Sequence, residues 1–270
     1  DGFTLGPIDI TVPSGYIMGY VGRNGAGKTT TIQAILGNIL KDDGEIKIFD
    51  HLMTGSSREM MDGIGMISDE CYFPDNFKMK EIMDTMEDFY PSFERDRFEL
   101  WISRWNLPAD KKIKTFSRGM KTKLMFATVL SRDTQILLLD EATSGLDPVV
   151  RAEILEILQE YIYDGQKSVR LSCHVISNIE KVADFITFID EGQIVFSETT
   201  DDLKEDYLLM KGQKSLLGLK EYFIGYKESM YGIEGLIRKN DQKIFADQGS
   251  QIIFEKPTMD DLVINYIRGM

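Results

Sequence analysis

Gly22-Arg23-Asn24-Gly25-Ala26-Gly27-Lys28-Thr29 decides how this chain is read. The stretch satisfies G-x-x-x-x-G-K-[ST] in full, and its setting suits the chemistry of that pattern. Tyr16-Ile17-Met18-Gly19-Tyr20-Val21 ahead of it reads as a buried strand, and residues 29–40 behind it read as a helix. The glycines let backbone N–H groups close around phosphate oxygens at the positive end of that helix. Lys28 is placed to reach the β- and γ-phosphates and the Thr29 hydroxyl to ligate Mg2+, while Thr30 is a further nucleotide-binding candidate. Gly22, Arg23, Asn24, Gly25, Ala26 and Gly27 complete the expected cradle.

Further along, Ile136-Leu137-Leu138-Leu139-Asp140-Glu141 sets two acids at the end of an apolar run. Such a run is a strand buried on both faces, so the acids emerge at the carboxyl edge of a sheet, where open α/β folds bind ligands. Asp140 is expected to hold Mg2+ through water and Glu141 to polarise an attacking water. Alone, this pair reads more readily as a solvated strand end. Behind a complete phosphate cradle it reads as the metal and base carboxylates.

Around these motifs the first half alternates short apolar runs with helical patterns, the mark of a layered βα fold. Residues 47–49 and 64–67 are further strand candidates. From about 79 to 130 the pattern turns helical, with Ile82, Met86 and Phe89 on one stripe and Phe98, Trp101, Ile102 and Trp105 on another. Both stripes are expected to be core faces. Strands return at 135–139, 168–172 and 185–189, and 194–196 follows a Glu191-Gly192 turn as a terminal hairpin. Beyond 200 the character shifts to a charged helix-like stretch at 201–206, strand-like pieces at 207–210, 222–226 and 251–254, and a helix led by Pro257. Residues 201–270 are therefore read as an accessory region behind a domain of residues 1–200.

Bulk composition limits the function classes. With 270 residues, 43% hydrophobic, 28% charged and only 7 prolines, the chain is globular in type. A net charge of −13 argues against a general nucleic-acid binder. Cys71 and Cys173 suit reduced thiols in a cytosolic protein better than a disulfide framework or a zinc site. No apolar run approaches the roughly 18–20 residues of a membrane span, and the start, Asp1-Gly2-Phe3-Thr4, has no signal-peptide pattern. Any membrane role is expected to come through a partner. His51, in a Gly/Ser-flanked loop, is expected at the surface.

Phe116-Ser117-Arg118-Gly119-Met120 resembles the signature motif, usually Leu-Ser-Gly-Gly-Gln, of the ATP-binding-cassette (ABC) ATPases. Ser144-Gly145-Leu146-Asp147 is similar to that family's D-loop, and His174 stands at a strand end where the family keeps its switch histidine. The motifs occur in family order over about residues 3–200. The resemblance implies an α/β fold: a P-loop NTPase core of mixed sheet and flanking helices. A helical subdomain at about 72–130 and a small C-terminal α+β extension would complete it.

It also implies a nucleotide sandwich in which two cassettes, identical or different, pair head to tail. ATP would lie between the phosphate loop of one and Ser117 and Gly119 of the other. His174 would touch the same phosphate from its own chain, and Asp147 would link the two sites. Glu141, His174 and Lys28 would carry catalysis. Asp69 stands where the family keeps its Q-loop glutamine, with Glu70 after it, and would approach Mg2+ beside Thr29 and Asp140. Arg118, Met120 and Ala142 depart from the usual glycine, glutamine and proline. Phe3 is the candidate for stacking on adenine, with core packing as its alternative.

By the same resemblance, the chain is the ATP-hydrolysing motor of a transporter. It would dimerise and dock on a separate export-type permease, on the cytoplasmic face of the cell membrane, with no direct nucleic-acid partner. Residues 69–90 would form the docking groove, with Tyr72, Phe73, Phe77 and Phe89 as candidate contacts, although its spacing puts Phe89 in the core. The alternatives are a soluble ABC machine acting on nucleic acid or ribosomes, and a low-turnover regulatory cassette.

Overall fold

The computed structural model describes residues 2–53, 58–174, 176, 179–246 and 251–269. Its first half runs β1 (Ile17–Val21), α1 (Lys28–Ile35), β2 (Lys47–Ile48), β3 (His51–Leu52), α2 (Arg58–Asp62) and β4 (Ile64–Ser68). Then come three helices, α3 (Met79–Phe89), α4 (Arg95–Arg104) and α5 (Arg118–Leu130), before β5 (Ile136–Asp140), α6 (Pro148–Ile162), β6 (Ser168–Cys173), β7 (Phe185–Asp190) and β8 (Gln193–Thr199). The remainder is α7 (Thr200–Glu205), β9 (Tyr207–Gly212), β10 (Phe223–Ser229), β11 (Gly232–Arg238), α8 (Gln242–Ala246), β12 (Ile253–Glu255) and α9 (Met259–Gly269).

Strand order in the main sheet is β4-β5-β6-β1-β7-β8. All pairs are parallel except β7 with β8, the hairpin turned by Glu191 and Gly192 at positive φ. Register sets the functional edge: Val21 pairs with Cys173, Ser68 with Asp140, and Asp140 with Ser172. Four parallel strands thus end level, and the turns leaving them share one rim, the ligand edge of an open α/β sheet. Strands β1, β5 and β6 are buried almost throughout, and β1 and β5 read accordingly as apolar runs.

The helical segment packs as its stripes require. Ile82, Met86, Phe98, Ile102 and Trp105 join the main core with Leu124, Phe126 and Val129 of α5. Glu81 reaches back to the Lys78 N–H at 2.9 Å, holding the first turn of α3. Trp105 Nε1 donates to Glu153 at 2.8 Å and ties α4 to α6. Asp147 caps α6 by accepting from Val149 N and Val150 N, and Pro148 fills the first helical position, where no N–H is needed.

Several expectations need correction. Phe89 is not core: its side chain is 66% exposed. The helix ends at this residue, and the turn after it sends Tyr90 and Phe93 into the core instead. The helix expected over 29–40 stops at Ile35, because Gly37 turns left-handed (φ 71°) and Asn38 N bonds back to Gln33 O at 2.9 Å. His51 is exposed as expected, but in the short strand β3.

Residues after 205 form a second, antiparallel sheet in the order β10-β11-β9-β12, including the unforeseen β11. It closes on the main body through Tyr207, whose hydroxyl meets Tyr266 at 2.9 Å and Glu198 at 3.1 Å, while the Tyr266 ring packs on Phe196.

Candidate functional site

The chain leaves β1 at Val21 and turns at once into α1 through left-handed glycines, Gly25 (φ 82°) and Gly27 (φ 113°). Gly27 is held to glycine chiefly by its φ, while a side chain there would also press on the tips of Leu5 (Cδ1 at 2.9 Å) and Phe3 (Cζ at 3.0 Å). Phe3 therefore lies against the loop, 52% exposed. Lys28, only 6% exposed, is folded back over the loop, donating to Gly22 O at 2.7 Å and Arg23 O at 3.1 Å. Arg23 points elsewhere: its guanidinium forks onto Asp190 at the end of β7, at 2.8 and 2.5 Å. Its backbone stays in the cradle while its side chain braces the loop against the sheet.

Asp140 and Glu141 leave β5 directly opposite. Thr29 Oγ1 donates to Asp140 Oδ2 at 2.7 Å. Asp140 Oδ1 is buried without a hydrogen-bond partner. Burial pushes this carboxyl above its ordinary value, opposed by the Thr29 hydrogen bond and the Arg170 charge. A carboxylate oxygen with no partner beside a hydroxyl and a carboxylate is a hard-oxygen donor set, and it fits Mg2+. Thr29 and Asp140 would hold such an ion, which would neutralise phosphate charge.

Glu141 adopts a left-handed backbone (φ 55°), a strained position for a side-chain-bearing residue, and its N–H bonds to Ser172 O at 3.3 Å. The strain aims its carboxylate into the site. Oε1 lies 3.4 Å from Lys28 Nζ and Oε2 lies 2.5 Å from His174 Nδ1. The proposed nucleophile-activating acid is thus held between the two cation-capable groups that sequence reasoning assigned to phosphate.

Other expected residues lie apart. Ser117 caps α5, accepting from Met120 N at 3.2 Å. Asp147 spends its carboxylate on the cap of α6. Among the described residues, no hydrogen bond or ion pair joins Ser117, Gly119 or Asp147 to the phosphate loop. Asp69 follows β4 at the same rim as Asp140 and is exposed. Arg118, the departure in the signature-like segment, lies over Gly145 of the D-loop-like turn, where a Cβ would come within 2.8 Å of its Nη1.

Sequence reasoning passed over the floor of the site. Arg170 of β6 is completely buried, and Tyr20 of β1 stacks on it, with Cζ 3.8 Å from the ring centre. A lone arginine inside Val169-Arg170-Leu171 was the available signal. A crevice of about 400 Å³ between α4 and α6, lined by Trp101, Arg104, Ile157 and Tyr161 among others, contains no residue of the phosphate loop and neither Asp140 nor Glu141.

A family model described as ABC transporter matches residues 5–144. The chain belongs to the ABC transporter family. Among its relatives is a lantibiotic transport ATP-binding protein of Streptococcus pyogenes, 32% identical over 73% of this chain and 85% of that protein. A bacitracin transport ATP-binding protein of Bacillus licheniformis is 26% identical over 97% of this chain and 92% of its own length. Among solved structures, a dimeric ATP-binding cassette in a post-hydrolysis state with ADP and Pi superimposes with a TM-score of 0.65. At 18% identity it covers 73% of this chain and 90% of its own, and establishes the shared fold. This member of the ABC transporter family is an ATP-binding, ATP-hydrolysing subunit, with the mixed sheet and flanking helices its motifs imply. Among the described residues, no helix is long and apolar enough to cross a membrane.

Proposed function

We propose that this subunit powers a separate membrane permease of the export type by closing as a dimer on Mg2+·ATP and reopening on hydrolysis. The reading rests above all on one arrangement: Glu141 bridges Lys28 and His174 at the mouth of the phosphate loop. An acid so held can take a proton from water attacking in line, and Lys28 and His174 can pass from it to the γ-phosphate when nucleotide enters. Thr29 and Asp140, with Asp69 at the same rim, would hold the metal.

The site is half a site. Ser117 and Gly119 lie at the start of α5, where the positive end of the helix dipole suits a phosphate brought by a second copy or a paired subunit. Gly119 is free to approach closely, since its nearest neighbours are the Val150 methyls of α6. Asp147 would adjust the two sites to each other from the turn between them. Pairing then supplies half of each γ-phosphate clamp, so turnover depends on dimerisation. Differential affinity of the closed pair for ATP over ADP supplies the work.

The permease would dock on the exposed part of residues 69–90. Tyr72 and Phe89 have exposed side chains there, whereas Phe73 is buried. Lantibiotic transport and bacitracin transport, for which the two relatives are named, support an export-type partner at the inner face of the membrane. We take residues 1–200, with the helices of 72–130 inserted, as the motor and 201–270 as an accessory unit.

Co-purification of the tagged chain from gently solubilised native membranes tests this reading. Recovery of a multi-span membrane protein in fixed ratio supports it. Recovery of soluble partners, ribosomes or nucleic acid alone refutes the transport role.

A further inference from the structure

Arg170 sits in the middle of the parallel sheet, on a strand whose six residues are all buried. Burying an arginine costs several kcal/mol unless charge and hydrogen bonds compensate, and an apolar residue would ordinarily be more stable there (roughly 1–4 kcal/mol). Compensation here is incomplete. Nη1 donates to Ser172 Oγ at 3.3 Å, while Nε and Nη2 have no hydrogen-bond partner. What acts on the cation is the face of Tyr20 and the charge of Asp140.

Register explains the grouping. Ser172 pairs with Asp140 on one side and Tyr20 on the other, while Arg170 pairs with Leu138 and Met18. Residues two apart share a face, so Tyr20, Arg170, Ser172 and Asp140 all lie on one side of the sheet. Tyr20 continues upward: its hydroxyl is 3.2 Å from Thr31 Oγ1, which donates to Gly27 O at 2.8 Å. The Ser172 carbonyl receives the Glu141 N–H. One buried cation therefore underlies the phosphate loop, the metal carboxylate and the base.

We propose that Arg170 is a positioning residue of the nucleotide site, a built-in counter-charge to Asp140 that lets the loop accept nucleotide before metal arrives. The proposal rests on the reading above that Lys28 and Asp140 receive Mg2+·ATP. Asp140 alone would repel the β- and γ-phosphates. Arg170 offsets that charge from the sheet side, in the way that bound Mg2+ would at the Asp140 carboxylate. Removal of Arg170 should therefore weaken metal-free binding far more than metal-loaded binding.

The test titrates the full chain with a fluorescent ATP analogue, once in Mg2+ and once in EDTA, with thermal unfolding as a check on folding. In R170M, metal-free affinity should fall about tenfold while Mg2+-supported affinity changes less than about twofold. R170K should restore most of the metal-free binding. In a D140N background, R170M should have no further effect, because the charge it answers is gone. An equal loss in both conditions, or none in either, would mean that Arg170 only packs. If R170M does not fold, R170Q removes the charge, keeps a polar contact to Ser172, and is read by the same ratio. Wild-type protein that fails to bind the analogue even in Mg2+ would sink the site reading itself. Wild-type binding with an unchanged ratio in the variants would sink only the role of Arg170.

Discussion

His174 Nδ1 and Glu141 Oε2 stand 2.5 Å apart, joining the end of β6 to the end of β5. A carboxylate only accepts, so Nδ1 is the donor of this pair, a bond that His174 would exchange for the γ-phosphate when nucleotide enters. His174→Ala should lower ATP turnover about 100-fold or more while leaving nucleotide affinity within a few-fold. Steady-state phosphate release, set beside equilibrium binding, separates the two. A variant that loses binding and turnover together would place His174 in ground-state recognition instead.

Lys28 is the cation at the loop's centre, already dry and held by two carbonyls. Lys28→Ala should weaken ATP binding by about 30-fold or more, since truncating a buried charged contact costs upward of 2 kcal/mol. Calorimetric titration reads the loss directly. Unchanged affinity would count against the cradle.

Asp140 offers one engaged oxygen and one without a partner. Asp140→Asn replaces an oxygen with an amide nitrogen that cannot ligate metal. The Mg2+ concentration for half-maximal activity should rise about 10–100-fold. A metal titration of ATPase rate checks this, and an unmoved midpoint would take Asp140 out of the metal site.

Gly145 turns left-handed (φ 66°) beneath the guanidinium of Arg118. Gly145→Ala should lower stability by about 1–2 kcal/mol, mostly from the backbone, because the flexible end of Arg118 can swing aside. R118G/G145A should then keep nearly the whole Gly145→Ala loss, relative to R118G alone, in denaturant unfolding. Full recovery would show that contact with Arg118, not φ, is what forbids a side chain there.

Much of the site was legible because its chemistry is contiguous. The glycines, Lys28 and Thr29 form one turn, and Asp140-Glu141 closes one apolar strand whose burial enforces its composition. The D-loop-like turn was legible for a similar reason, since Asp147-Pro148 is a helix start in its own right. The rest depends on neighbours distant in sequence. Arg170 and Tyr20 meet only through strand pairing, and the bond from Arg23 to Asp190 spans two strands of the sheet. β11 carries Gly232 and Gly235, which weaken strand propensity, and only its place between β9 and β10 makes it a strand. Phe89 kept the right period but is the last residue of its helix, where periodicity no longer reports burial.

The most direct test of the central claim, a composite ATPase with Glu141 as base, is the solution mass of Glu141→Gln by light scattering with and without Mg2+·ATP. Turnover in this variant should fall about 100-fold or more, trapping the closed pair. The predicted result is a monomer without nucleotide and a stable dimer with it. A monomer in both conditions despite tight ATP binding, or a variant that hydrolyses ATP at the wild-type rate, would contradict the account.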